Sequence, residues 1–114
     1  MAFNNWNLVT LTGDGSTKDT IGQGQAGYEV VISSIWIANN SGSSASIELI
    51  LADSVDAEYF KITRSVAAGD DIVVNTDGNG AVFLICLNNQ DKLKIVSDQV
   101  DVSVVVSKDE TYAG

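Results

Sequence analysis

The sequence contains no histidine and a single cysteine, Cys86. Histidine is the commonest general base and a frequent metal ligand, so its absence removes the usual starting point for acid–base or metal catalysis. A single cysteine forms no disulfide within the chain. We interpret Cys86 as a small buried side chain of the apolar run 81–87, because no histidine is present to activate its thiol.

Proline is also absent. Proline often guards the edges of β-sheets, where it prevents pairing with another chain. Without it, the protection of exposed strand edges is left to charged residues such as Lys61, Lys92 and Lys94, or to a neighbouring subunit. The second alternative favours a protein that assembles.

Basic residues are scarce, with 6 against 15 acidic residues and a formal net charge of −9. Nucleic acids and anionic membranes bind surfaces lined with cations, so we expect neither as a partner. No apolar run approaches the roughly 18 residues of a membrane span. Residues 1–6 lack the basic and apolar segments of a secretion signal, and we therefore expect synthesis in a cytoplasm.

Apolar residues make up 45% of the 114 residues, which is enough for the core of one domain over 1–114. They alternate with polar residues or form short β-branched runs, and turn-forming residues follow about every 8 to 12 positions. This pattern predicts an all-β fold, an antiparallel eight-stranded β-sandwich of jelly-roll type. The predicted strands are residues 6–12, 28–38, 45–52, 58–65, 71–75, 81–87, 92–97 and 100–107.

We expect residues 1–5 to form an N-terminal arm, 13–27 a surface loop and 108–114 a polar C-terminal tail. Alternation along the predicted strands indicates which side chains face the core. The predicted core residues are Trp36, Leu49, Leu51, Phe83, Leu93, Ile95, Val102 and Val104.

Three glycines, Gly22, Gly24 and Gly27, have the spacing of a dinucleotide-binding motif. That motif requires a helix whose N-terminus holds the pyrophosphate, whereas a β-branched run follows here. We therefore interpret these glycines as a flexible loop and expect no cofactor.

Residues 75–80 resemble the start of a calcium loop, with oxygen-bearing side chains at Asn75, Asp77 and Asn79 and a glycine at Gly80. The twelfth position of that loop is Cys86 rather than glutamate, and two Asx–Gly pairs are also strong hairpin signals. A plain turn is the favoured interpretation, and calcium binding stays open as the alternative.

The remaining polar motifs lie in predicted turns. Neighbouring carboxylates can perform acid–base chemistry, but solvated carboxylates are ordinary at strand ends, so we predict no catalytic or metal-binding residues and no enzymatic activity. The sequon that begins at Asn39 is interpreted as an ordinary loop. The paired carboxylates are Asp53 with Asp56 and Glu58, Asp70 with Asp71, and Asp98 with Asp101.

Phe3, Trp6 and Tyr112 lie near the two ends of the sequence. Aromatic side chains in such positions suit protein interfaces or sugar platforms. We name these three as candidate interface residues. For Trp6, simple packing on the sandwich is the alternative.

One order of strands and turns runs through the segments 28–42, 45–51, 67–74 and 91–97 and the alternating valine strand that follows them. This order resembles small virion proteins of tailed bacteriophages, which include capsid decoration (cement or staple) proteins and small head or tail components. The resemblance covers roughly residues 28–106. Such proteins often have a proline before the Ala–Gly turn, where this chain has Ala67.

The resemblance implies a structural protein of the virion, made in the host cytoplasm, that binds the outer shell as a homo-oligomer. Its partners would be further copies of itself, as a dimer or trimer, and the major capsid protein or other virion proteins. It implies no catalytic residues. The alternatives are a small tail or head–tail component and, from a different class, a carbohydrate-binding or adhesion module.

Overall fold

The structure, a computed structural model, describes residues 2–74 and 85–112, with side chains described for 8–74 and 87–112. The strands of these residues form two antiparallel sheets. The long sheet has the order β1-β9-β3-β6, with β7 also paired to β3, and the short sheet has the order β2-β8-β4-β5. The strands are β1 (Ala2–Thr10), β2 (Asp19–Gln23), β3 (Tyr28–Asn39), β4 (Ala45–Ala52), β5 (Glu58–Val66), β6 (Asp71–Val74), β7 (Ile85–Leu87), β8 (Lys92–Ser97) and β9 (Val102–Tyr112).

The chain crosses between the two sheets at nearly every connection, as in a double-sheet jelly roll. Within the described residues, only β4–β5 and β6–β7 follow one another in the same sheet. Because β6 and β7 pair with successive parts of β3, they share one position in the long sheet. The sandwich therefore has eight strand positions, and the prediction of an all-β, antiparallel, jelly-roll-like sandwich is confirmed.

The segment predicted as a surface loop, 13–27, contains strand β2, which pairs with β8. Its one large apolar side chain, Ile21, is buried, and Gly22 lies beneath the side chain of Ile32 at the opposite sheet. A strand with so little apolar material shows no alternation that could be read from sequence. Its pairing with β8 supplies the stability that its own propensity lacks.

The segments predicted as an N-terminal arm and a C-terminal tail are also paired strands. Over the described residues they belong to β1 and β9, which pair with each other so that Ala2 lies opposite Thr111. The polar composition of 108–112 hid this strand. Two of its charges compensate each other, because Lys108 Nζ lies 2.8 Å from Glu110 Oε1 and both side chains are largely covered.

The core lies between the sheets and consists of valine, isoleucine and leucine side chains from both. Two predicted core residues are exceptions. Trp36 lies on the outer face of the long sheet, and Phe83 lies outside the described residues. Leu51 is half-buried and packs against the core. The other predicted core residues are buried: Leu49, Leu93, Ile95, Val102 and Val104.

No helix that is long and apolar enough to cross a membrane occurs in residues 2–74 and 85–112.

The buried position of Ile95 yields a prediction about stability. Ile95→Ala should lower the free energy of unfolding by about 2 to 5 kcal/mol, because it removes buried methyl groups and leaves a cavity. Val100→Ala, at an exposed valine in the β8–β9 connection, is the matched control and should change it by less than about 0.5 kcal/mol. Urea denaturation measures both. Equal small effects would mean that β8 has the opposite register.

Candidate binding surface

Four apolar side chains lie side by side across the long sheet. Leu8 of β1 pairs with Val105 of β9, Val105 pairs with Trp36 of β3, and Trp36 pairs with Val73 of β6. We call Leu8, Val105, Trp36 and Val73 the apolar row. Neighbouring strands are about 4.8 Å apart, so the row crosses about 14 Å of sheet.

The apolar row faces away from the core because side chains alternate along a strand. Ile35 and Ile37 on β3 are buried, and so are Val104 and Val106 on β9, which places Trp36 and Val105 on the opposite face. Val105 is half-buried between its neighbours. The exposed fractions of Leu8, Trp36 and Val73 are 70%, 49% and 47%.

The prediction that Trp36 belongs to the core is therefore wrong. The run from Val30 to Ile37 is apolar at six of eight positions, so its composition does not reveal which positions face inward. A register shift between Ile32 and Ser34, opposite β9, also interrupts the alternation. The inward places on both sides of Trp36 are taken by isoleucines.

A hydrogen bond fixes the orientation of the Trp36 ring. Its Nε1–H donates to Oδ2 of Asp71 at 2.7 Å. Asp71 pairs with Ala38, two residues along β3 from Trp36, so the carboxylate sits beside the row on β6. The indole face therefore stays exposed while its polar edge is satisfied.

The outer face of the short sheet is chemically opposite. Lys92 and Lys94 both place Nζ 2.8 Å from Oδ1 of Asp56. Lys61 lies 3.3 Å from Glu48, and the Lys18 ammonium contacts the Glu58 carboxylate. Long lysine stems can cover apolar surface while their charged ends stay in water, and Ile50, which pairs with Lys61 and Lys94, is buried on this outer face.

The two hydrogen bonds from Lys92 and Lys94 lower the pKa of Asp56 from 3.8 to about 2. The short sheet thus presents mutually paired charges to solvent, whereas the long sheet presents a contiguous apolar row. Within the described residues, the row is an apolar surface that would gain from being covered.

The three predicted interface residues lie on neighbouring strands of the long sheet. The backbones of Phe3 and Trp6 belong to β1, opposite Glu110 and Ser107, and their side chains lie outside the described residues. Tyr112 ends β9, is exposed, and makes an edge-to-face contact with Tyr28 at a centroid distance of 5.4 Å. Their role as interface residues stays a prediction.

The glycine motif has a structural explanation. A Cβ on Gly24 would lie 1.7 Å from the carbonyl oxygen of Asn88, so this position admits only glycine. Gly27 has φ 78°, in the left-handed region. Strand β3 begins immediately afterwards, so these glycines shape a tight connection between β2 and β3.

Two of the paired carboxylates accept hydrogen bonds from backbone amides. Asp53 Oδ1 accepts the amides of Val55 and Ala57 at 3.0 and 2.9 Å, and Asp98 Oδ1 accepts the amide of Ser46 at 2.8 Å. Across 2–74 and 85–112, no three acidic or cysteine side chains are grouped to hold a metal ion. The possible calcium loop at 75–80 and the Cys86 side chain lie outside the described parts.

Asn39 is not the ordinary loop residue that the sequon interpretation assumed. It ends β3, is completely buried, and its Nδ2 donates to Ser43 O at 2.8 Å and Val66 O at 3.0 Å. Its Oδ1 accepts from the amide and hydroxyl of Ser41. A nitrogen bonded in this way has no room for a glycan. Asn39 instead ties the β3–β4 connection to the end of β5.

Comparisons with known proteins add little. No protein-family model and no curated protein matches the chain. Similar solved structures include the infectious bursal disease virus Gx strain, at 15% identity and a TM-score of 0.42, over 98% of this chain and 34% of that one. A mutant VP2 protein of that virus, from T=1 particles, has 15% identity and a TM-score of 0.37, over 100% and 32%.

The CBM22-1 and GH10 modules of a Clostridium thermocellum xylanase, complexed with xylohexaose, have 16% identity and a TM-score of 0.41, over 99% of this chain and 26% of that one. The chain thus spans about a third or less of each of these structures. Similarities of this size do not indicate what it binds. The fold defines its class, a double-sheet jelly-roll β-sandwich, in which the long sheet carries an apolar row on its outer face and the short sheet carries paired charges.

The hydrogen bonds of Asn39 yield a prediction. Asn39→Ala should lower the free energy of unfolding by about 2 to 4 kcal/mol, because it leaves buried carbonyl groups without a donor. The adjacent, exposed Asn40 provides the matched control, and Asn40→Ala should cost less than about 0.5 kcal/mol. If urea denaturation found both variants equally stable, Asn39 would not be the link between the β3–β4 connection and the end of β5.

The lowered pKa of Asp56 yields a prediction about pH. A folded pKa of about 2, below the ordinary 3.8, means that the contacts with Lys92 and Lys94 stabilise the fold above about pH 4 and are lost as pH falls towards 2. Asp56→Asn should therefore lose less stability than wild type between pH 5 and pH 2. Asparagine tolerates the positive φ of 63° at this position. Urea midpoints at both pH values measure the difference, and an identical loss in both proteins would contradict it.

Proposed function

We propose that the chain is a non-enzymatic structural protein of a virus particle and, most specifically, a bacteriophage capsid decoration protein that binds the outer shell as a homo-oligomer. The observation that carries this proposal is the apolar row. Double-sheet jelly rolls serve in both viral capsid and lectin domains, so the fold leaves both classes open, and the composition of the outer surface supports the first.

The composition of the apolar row favours a protein partner. Three of its four side chains are aliphatic and offer no hydrogen bond to a sugar hydroxyl. Centres of protein interfaces are depleted in charge and enriched in aromatic residues, which describes Trp36 among Leu8, Val73 and Val105. Such a surface is useful to a protein that assembles.

The charge of the chain fits the same function. A net charge of −9 keeps the isolated subunit soluble and disfavours contact with the nucleic acid inside a shell. The partners are further copies of the chain and the major capsid protein or another virion protein. A tail or head–tail position would use the same surfaces. The protein would be made in the host cytoplasm and reside in the virion.

One observation favours carbohydrate binding as the second candidate. The indole of Trp36 is about half exposed, and Asp71 holds it in one orientation. Sugar rings stack on aromatic faces presented in this way, with polar groups at the side. Asp71 is such a group, but the aliphatic neighbours of Trp36 supply no second one.

Co-sedimentation tests the proposed function. Purified protein should sediment with particles assembled without it and saturate a fixed number of sites, and a glycan array should show no specific binding. If the protein bound one defined glycan and no virion surface, the carbohydrate-binding alternative would replace the proposal. Truncation of residues 1–6 is a poor test, because these residues supply five of the nine pairs between β1 and β9.

A further inference from the structure

The outer face of the long sheet is nearly free of charge in a strongly acidic chain. Among its described outward side chains, only Asp71, Glu29 and Asp109 carry a charge. Asp71 lies on β6, away from the centre, and is bonded to Trp36. Glu29 and Asp109 lie near one end of β3 and β9. Two copies can therefore approach through the centre of this face without direct repulsion between their carboxylates.

The register of the long sheet makes this face self-complementary. A twofold axis along the strands, between β9 and β3, would place β3 of one copy over β9 of the other and β1 over β6. Trp36 would then face Val105 of the second copy, and Leu8 would face Val73. Each large side chain meets a smaller one, as interdigitation requires.

The same axis separates the acidic groups. Glu29 is opposite Thr111 in the sheet, and Val31 is opposite Asp109. In the twofold pair, Glu29 of one copy therefore faces Thr111 of the other copy, and Asp109 faces Val31. The strands that carry the two equivalent glutamates would be about 11 Å apart, given roughly 10 Å between sheets and 4.8 Å between strands. Because Glu29 and Asp109 lie near one end of β3 and β9, their carboxylates stay at the end of the face, where water and salt screen them.

The area of the face suits a stable dimer. The strands of this face have 9, 11, 12, 4 and 3 residues, in the order β1, β9, β3, β6 and β7. At about 4.8 Å between strands and about 3.4 Å per residue they cover roughly 640 Å² per copy, or about 1,270 Å² for the pair, which lies within the range of about 1,200 to 2,000 Å² for specific interfaces. A second copy also has the same twist, which aligned packing of two sheets requires.

We propose that the outer face of the long sheet is a dimer interface, and that its occupant is the same face of a second copy of this chain. This inference rests on the proposed function, which requires a homo-oligomer, and it specifies the contact. The edges and the charged short sheets of the dimer then remain available for the particle.

Sedimentation velocity over a range of concentrations tests the dimer. Wild type should self-associate, and Leu8→Glu should weaken association at least about tenfold, because the twofold pair would bury two unpaired carboxylates. Val55→Glu, at the exposed turn between β4 and β5, is the matched control and should associate like wild type. Leu8 and Val55 are 70% and 79% exposed, so both variants should fold normally.

A mixing experiment tests the geometry. Val73→Lys should also weaken self-association, but an equimolar mixture of Leu8→Glu and Val73→Lys should recover it, because position 8 of one copy faces position 73 of the other. Within one chain these positions are about 14 Å apart, at opposite edges of the sheet, so recovery cannot arise inside a single copy. Heterodimers detected by native mass spectrometry would support the proposed axis.

Three results would overturn the inference. They are a strictly monomeric wild type, an equal loss of association in Leu8→Glu and Val55→Glu, and a mixture that stays monomeric. The proposed function fails separately, if the wild-type protein does not bind particles. If Leu8→Glu still dimerised but no longer bound particles, the row would face the shell, and the proposed function would survive while the proposed dimer contact would be wrong.

Discussion

The pairing of β3 with β9 is the interaction on which the rest of the structure depends. These strands are the longest of the described residues and share eleven residue pairs. Their register places Ile35 and Ile37 with Val104 and Val106 in the core, and the same alternation turns Trp36 outward. A shift by one residue would exchange the two faces, so core burial fixes the outer surface as well. The candidate interface is therefore a consequence of core packing.

The two outer faces of the sandwich differ in their chemistry. Five of the six basic residues form ion pairs, and four of these pairs lie on or beside the short sheet. Individual surface ion pairs contribute little stability, but they keep this face hydrated. Among the residues with described side chains, 8–74 and 87–112, none forms a comparable cover over the central part of the long sheet. A surface of this kind is stable in a dilute subunit and becomes favourable to bury once a matching sheet is available.

Sequence patterns predicted the parts of the fold in which each strand carries its own signal. The alternation of β8 and β9 identified Leu93, Ile95, Val102 and Val104 as core residues. Strand β2 was missed because its stability comes from pairing with β8, and Trp36 was misplaced because nearly every neighbour on β3 is apolar. The apolar row could not be predicted, since its residues come from four strands and only the register brings them together. Asn39 likewise resembled a loop residue, because its burial and its hydrogen bond to Val66, 27 residues away, arise only in the folded structure.

The central claim is that the outer face of the long sheet is a protein contact surface, and hydroxyl-radical footprinting of the isolated chain tests it most directly. Trp36 on the long sheet and Tyr59 on β5 of the short sheet have similar exposed fractions, 49% and 56%, so Tyr59 is an internal reference. Between dilute and concentrated protein, oxidation of Trp36 should fall severalfold while that of Tyr59 stays constant. Constant oxidation of Trp36, or selective protection of Tyr59, would contradict the account.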